Sequence, residues 1–256
     1  MPCTAVDSTE LCRAVRCLEL APDFDAAQQA LKDIARTVGM PVLAWSADIS
    51  RPSFNPHIDA FLRREGWSDE IMKLWWQRNG MLKNPLYVRC RIRALPFLTS
   101  ELEKVPVGRP ELRQIVDAMR LMNVKSLITT PVHLPRGQVA MVSWGGPLST
   151  SEAKELLSQA TTELLAAGHH FMHAYRKMIG ALHTREEELS KLTLREWECL
   201  RLTAQGCREA EVASLMGMAP TTVRYHLDNV IRKLDATNRT HAVAIAAQLG
   251  ILGPLS

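Results

Sequence analysis

Four side chains near the carboxy terminus have the chemistry of a groove reader. Arg224, Tyr225, Asn229 and Arg232 offer two guanidinium forks, a phenol and a carboxamide. Such groups can donate to phosphate oxygens and pair with the donor and acceptor edges of bases. They are interleaved with Val223, Leu227, Val230, Ile231 and Leu234, apolar residues at 0, +4, +7, +8 and +11, which form one stripe of a helix. Tyr225, Asn229 and Arg232 point away from that stripe, Thr221, Thr222 and Asp228 stand beside them, and Arg224 flanks it. A polar outer face is also usual on any packed surface helix, so the spacing alone leaves a plain helical packing motif open. Other chemistry finds less support. His169 and His173 are four apart, a spacing that can set two imidazoles on one metal, but no third ligand accompanies them and a solvated face is expected instead. The six cysteines have no CxxC pair and read as reduced thiols. No GxSxG, Walker A or GxGxxG motif occurs, so neither catalysis, a cofactor nor a metal is expected.

The elements that must position the polar helix are legible around it. At Leu192-Thr193-Leu194-Arg195-Glu196-Trp197, Thr193 can cap a helix while Glu196 reaches back, and Leu192 and Trp197 can clasp as a hydrophobic staple. That helix runs to Gly206, which suits a position of positive φ. A short helix of about 209–216 follows, then the tight turn Gly217-Met218-Ala219, with Pro220 at the first position of the polar helix. A last helix of about 241–249 carries Ala242, Val243, Ile245, Ala246 and Leu249 inward. Helix, short helix, tight turn and exposed polar helix make a helix-turn-helix.

The 256-residue chain as a whole is 46% hydrophobic and 23% charged, ordinary globular values that exclude wholesale disorder. A net charge of +4 permits a polyanionic partner without demanding one. No signal peptide or bilayer-spanning run is visible, and a soluble cytoplasmic protein without a membrane partner is expected. Helical spacing at 24–38, two short helices within 58–80, a helix at 111–122 and a long helical run at 151–179 alternate with strands at 41–45, 86–92, 127–134 and 138–144. The strand at Leu86–Ile92 rests on period-two alternation, and the last two strands are joined by the turn Pro135-Arg136-Gly137. The fold class is α+β: an amino-terminal α-β-α sandwich, an antiparallel sheet with helices on its faces, followed by a small all-α four-helix domain. The boundaries are a sensor at 1–178, a charged linker at 179–190 and the helix-turn-helix domain at 191–256.

LTLREWECLRLTAQG, EVASLMGM and TTVRYHLDNVIRKLDATNRTHAV closely resemble the LuxR-type helix-turn-helix of bacterial transcription regulators, over about residues 190–252. The family landmarks stand as Glu196, Leu200 and Gly206, then as Thr222, Val223, His226, Asn229, Lys233 and Leu234. Arg208 and Ala219 occupy places where the family has Ser or Thr; losing a cap costs about 1 kcal/mol, part of which Glu211 and Pro220 offset. Asp228 replaces a residue that is often basic or polar. It can accept from cytosine N4 but is repelled by phosphate. The resemblance implies double-stranded DNA as partner, read by Thr221, Thr222, Arg224, Tyr225, Asp228, Asn229, Arg232 and Lys233. It further implies a homodimer on an inverted-repeat operator with half-sites about 10 bp apart, and RNA polymerase as a partner if the protein activates. The long helix (Leu156, Leu157, Ala160, Leu164, Phe171, Met172) and the last helix are the expected dimer contacts.

The first part resembles the acyl-homoserine-lactone-binding domain of quorum-sensing regulators, on IMKLWWQRNGMLKNP, ALPFLTS and NVKSLITTPVHLPRGQVAMVSW. The family's Trp, Tyr, Asp-Pro, Trp and Gly fall here on Ile71, Trp75, Asn84-Pro85, Thr99 and Leu127, so only Pro85 is kept. In the family the Asp accepts the ligand amide N–H, one Trp donates to the lactone carbonyl, and the Tyr hydroxyl meets the acyl carbonyl. Each lost hydrogen bond costs roughly 0.5–1.5 kcal/mol, and three such losses weaken a lactone on the order of hundreds-fold or more. The expected pocket has Trp67, Ile71, Trp75, Leu127 and Thr129 as largely apolar walls, with Asn84, Thr99 and Ser143 as polar points. It suits a small apolar signal other than a standard lactone. The other reading is a closed core controlled by a protein partner without any ligand.

Overall fold

The computed structural model describes residues 7–49, 55–75, 85–99, 110–180 and 192–253. The chain divides into two compact units, one comprising Met1–His133 with Gln138–Leu182 and a second comprising Leu134–Gly137 with His183–Ser256. All but the first two residues of the expected linker at 179–190 lie outside the described residues.

In the first unit, α1 (Ser8–Glu19) and α2 (Phe24–Thr37) start where Asp7 and Asp23 accept backbone N–H groups of their first turns. Then come β1 (Val42–Ser46), α3 (Pro56–Arg64, capped by Asn55), α4 (Asp69–Trp75), α5 (Pro85–Ile92), β2 (Phe97–Thr99) and α6 (Pro110–Leu121). β3 (Ser126–His133), β4 (Val139–Gly146) and α7 (Thr150–Met178) complete the unit, with a short 3-10 turn (Pro135–Gly137) in the chain between β3 and β4. The strands form one antiparallel sheet in the order β1-β4-β3-β2. Every residue of β4 is buried, so both faces of the sheet are covered and the layout is the expected sandwich. α1, α2 and α7 pack together, α7 lies on β3, α3 packs on β1, and α5 packs on β3 and β4.

The contact of α7 with the sheet is close because Gly168 has no side chain. A Cβ there would stand 2.6 Å from Cγ2 of Thr130, whose hydroxyl donates to the Leu164 carbonyl at 3.1 Å. Thr130 and Val132 thus face α7, and by alternation Leu127, Thr129 and Pro131 face the opposite layer. Trp45 sits among Phe24, Phe61, Phe171 and Tyr175, with ring centroids 5.0–6.2 Å away. Asn55 then ties α3 to α7 by donating to the Tyr175 hydroxyl at 2.7 Å.

Two expectations are corrected. Leu86–Ile92 lies in a helix, not a strand. Pro85 opens it with φ already helical, and Leu86, Tyr87 and Cys90 share the buried face, whereas Val88 and Ile92 are exposed. The period-two alternation is therefore broken in three dimensions. Second, Leu156, Ala160, Leu164, Phe171 and Met172 of α7 are buried within this single chain. Their stripe is used up against α1, α2 and β3 and offers little apolar surface to a partner. Two elements went unread: the three-residue strand β2, and α1, whose capping Asp7 and buried Leu11 and Leu18 carry the local signal of a helix.

Candidate nucleic-acid interface and sensor site

The second unit is helical. α8 (Leu194–Ala204) begins with the capping box read from sequence: Thr193 Oγ1 accepts the Glu196 N–H, and Glu196 Oε2 accepts the Thr193 N–H at 2.7 Å. α9 (Glu209–Met216) ends at Gly217, whose φ of +63° is the left-handed turn that a side chain resists. α10 (Pro220–Lys233) and α11 (Arg239–Gln248) follow. No side chain caps α9 at Arg208 or α10 at Ala219, although Glu211 reaches back to the Arg208 N–H at 2.6 Å. The apolar stripe of α10 divides between two small cores. Val230 and Leu234 meet Leu200, Ala242, Ala246 and Leu252, while Val223 and Leu227 meet Cys199, Val212 and Ala213.

Burying that stripe forces the rest of α10 outward. Thr221, Thr222, Arg224, Tyr225, Asp228 and Arg232 are exposed, and Asn229 is half-buried. Tyr225 is 64% exposed, a large ring left mostly in water, with the His226 ring edge-on 5.8 Å away. Arg232 donates to the Asn229 carboxamide oxygen at 2.8 Å, so these two present a joined polar tip. Lys233 differs from its neighbours. Its ammonium donates to Glu196 Oε2 at 2.7 Å, and the Glu196 side chain is only 5% exposed. Burial pushes the Glu196 carboxyl upward, but the hydrogen bonds from Lys233 and Thr193 outweigh it and hold the group below the usual carboxylate range.

Arg224 also has a protein partner: Nη2 lies 2.9 Å from Oε1 of Glu209. Glu209 in turn accepts from Arg239 at 2.8 Å. Neither Glu209 nor Arg239 was expected at the site. No local pattern marks them, since the pairs span 15 and 30 residues.

At the sensor site, Thr129 and Ser143 are fully buried neighbours on adjacent strands, their hydroxyls 2.8 Å apart and sharing one hydrogen bond. Trp67 is buried, and its indole N–H donates to the Leu43 carbonyl at 3.2 Å. Thr99 lies directly across from Leu127 in the β2–β3 register, and its hydroxyl is buried with no hydrogen bond among the described residues. The Leu127 side chain, 5% exposed, leans over Gly145, where an added Cβ would meet Val124 at 3.1 Å and Leu127 at 3.5 Å. Ile71 and Trp75 fall on α4, but their side chains, like all of Asn84, lie outside the described residues. Among the described residues no group of three His, Cys, Asp or Glu could hold a metal ion, and no helix is long and apolar enough to cross a membrane.

With this geometry in place, comparison with known proteins separates the two units cleanly. Residues 190–246 match the model of bacterial regulatory proteins of the luxR family, and residues 23–175 match that of the autoinducer binding domain. A Sinorhizobium fredii protein named as an HTH-type transcriptional regulator, y4qH, is 27% identical over 188 residues, 73% of this chain and 55% of that one, so the matched stretch spans about half of that relative. The HTH-type quorum sensing-dependent transcriptional regulator RpaR of Rhodopseudomonas palustris is 24% identical over 201 residues, 78% of this chain and 79% of its own. SdiA in complex with octanoyl-rac-glycerol shares the fold, with a TM-score of 0.57 and 15% identity across 95% of this chain and 96% of that one.

Proposed function

The chain belongs to the LuxR-type family of autoinducer-binding transcription regulators, and from that premise we propose that it couples a small apolar signal, other than a standard acyl-homoserine lactone, to reading of an inverted-repeat operator by α10. The observation that carries the DNA side is the exposed polar face of α10 over a stripe buried in two cores. Thr221, Thr222, Arg224, Tyr225, Asp228, Asn229 and Arg232 are its DNA-facing set, with Lys233 serving the fold through Glu196. The working units are a sensor at 1–178, a linker at 179–190 and a DNA-binding domain at 191–256. Two copies place their recognition helices about one DNA turn apart, roughly 34 Å. The protein acts in the cytoplasm, and as an activator it would meet RNA polymerase there.

The signal side rests on Thr99, which with Trp45 and Trp144 is one of three buried polar side chains lacking a hydrogen-bond partner among the described residues. Thr129 and Ser143 bond each other and the Trp67 N–H is already spent, whereas the Thr99 hydroxyl is buried without a partner among the described residues. One free hydroxyl over apolar walls suits a ligand with an apolar body and one hydrogen-bonding end. Octanoyl-glycerol, the molecule held by SdiA, is a probe of that kind. Calorimetric titration with a panel of acyl-homoserine lactones and with octanoyl-glycerol tests the reading, and sub-micromolar affinity for any lactone overturns it. A second reading, control by a protein partner without ligand, is favoured by the Thr129–Ser143 hydrogen bond, which ties two polar groups of the expected pocket to each other. Mass spectrometry of small molecules released from the purified protein separates the two. A stoichiometric apolar compound supports the first, and an empty sensor that still binds DNA supports the second.

A further inference from the structure

Glu209, the first residue of α9, holds arginines of two other helices. Its Oε1 accepts from Arg224 Nη2 at 2.9 Å, and its Oε2 lies 2.8 Å from Arg239 Nη1 and 3.5 Å from Arg224 Nε. The carboxylate is 18% exposed, against 62% for the Arg224 side chain and 37% for that of Arg239. Hydrogen bonds from Arg239 and then Arg224 hold the Glu209 pKa below the usual range, so it stays ionised at neutral pH. Exposed ion pairs add little to stability, which directs attention to what this one does to the shape of Arg224.

We infer that Glu209 is a positioning residue for DNA recognition, fixing Arg224 so that its outer end meets the two acceptors of a single guanine. This rests on Arg224 facing DNA, as proposed above. A guanidinium carries five N–H donors in a rigid plane. Glu209 takes the Nε–Nη2 edge and, among the described residues, the Nη1–Nη2 end has no other partner; that end can pair bidentately with guanine O6 and N7. Arg239 anchors the carboxylate from the start of α11, so the clamp is referred to the rest of the unit and not to one floppy side chain. Charge points the same way. A carboxylate in contact with Arg224 repels phosphate but costs little beside a neutral base edge, so the pair discriminates between bases and contributes little to general affinity.

The test uses the full chain. Selection from random duplexes gives the preferred half-site, and fluorescence anisotropy then measures competition at each base pair and the salt dependence of binding. Arg224→Ala flattens preference at one G·C pair per half-site. Glu209→Gln, nearly isosteric, lowers discrimination at that same pair by about tenfold and, by freeing Arg224 to seek phosphates, steepens the slope of log K against log salt by up to about 0.9. The double variant matches Arg224→Ala alone. Full discrimination retained in Glu209→Gln overturns the inference while leaving Arg224 as a reader. No change of preference in Arg224→Ala removes the DNA-facing assignment itself. If Glu209→Gln lowers the melting temperature, Arg239→Met replaces it, because it releases the carboxylate without touching Arg224. Loss of discrimination at the same pair supports the clamp, and its retention refutes it.

Discussion

Replacing Lys233 with Met separates a fold-holding cation from a DNA-binding one. The Lys233 ammonium is 2.7 Å from a Glu196 oxygen, with side chains 29% and 5% exposed. Removing it leaves a buried carboxylate that still accepts the Thr193 N–H but has lost its counter-charge. A hydrogen bond to a charged group contributes about 1.5–3 kcal/mol, and stripping one partner from a wholly buried pair costs about 3–5 kcal/mol. Because the lysine head is partly solvated, about 2 kcal/mol is the appropriate figure. For a unit of this size that lowers the melting temperature by about 8–16 °C, which calorimetry of the full chain reads as a shift in the transition of the second unit. The penalty depends on pH. The Glu196 pKa is lowered in the folded state, so its stabilisation is present above the ordinary carboxylate pKa and is lost as pH falls through the depressed value. Wild type and variant therefore converge in acid. Binding gives the contrast: Lys233→Met leaves the salt slope unchanged, whereas Arg232→Ala reduces it by about 0.9 at unchanged melting temperature. A Lys233→Met protein of wild-type stability whose salt slope has dropped would refute the reasoning.

Other outcomes follow from the same structure. Gly168→Val drives a branched side chain into Thr130, 2.6 Å from where even a Cβ would sit; overpacking of about 1–3 kcal/mol exceeds the helix-propensity gain of less than about 1 kcal/mol, and chemical denaturation reads a lower midpoint that Thr130→Ala partly restores. The Cys90 thiol is pushed up to about 12 by burial, while Cys12 is exposed; iodoacetamide at pH 8 labels Cys12 in the native protein and reaches Cys90 only after unfolding, as peptide mass spectrometry shows. Tyr225→Ala, which removes a ring 64% exposed, leaves the unfolding free energy within about 0.5 kcal/mol of wild type, as chemical denaturation reads, and weakens specific duplex binding more than binding to random DNA.

The helix-turn-helix was legible because its signals are local. Thr193 and Glu196 are three residues apart, and the five apolar residues of α10 repeat within twelve positions. Capping and amphipathicity act over a helical turn or two, so sequence spacing maps directly onto space. The same logic failed at Leu86–Ile92, where apolar residues satisfy both a two-residue and a helical repeat. Only packing chooses between them, burying Leu86, Tyr87 and Cys90 and leaving Val88 and Ile92 outside. The sensor site was half-legible. The replacements at Ile71, Trp75, Asn84, Thr99 and Leu127 could be read directly, but not that Thr129 and Ser143 bond each other or that Trp67 spends its N–H on Leu43.

By itself, then, the amino-acid order determined the elements of the second unit and the polar character of its recognition helix. The tertiary structure decided which of those polar groups are free. Lys233 is engaged by a carboxylate 37 residues before it, and Arg224 and Arg239 share one that precedes them by 15 and 30. Turn-to-turn hydrogen bonds are fixed by neighbours along the chain. A charge finds its counterpart through space, and that distance exists only once the helices have packed.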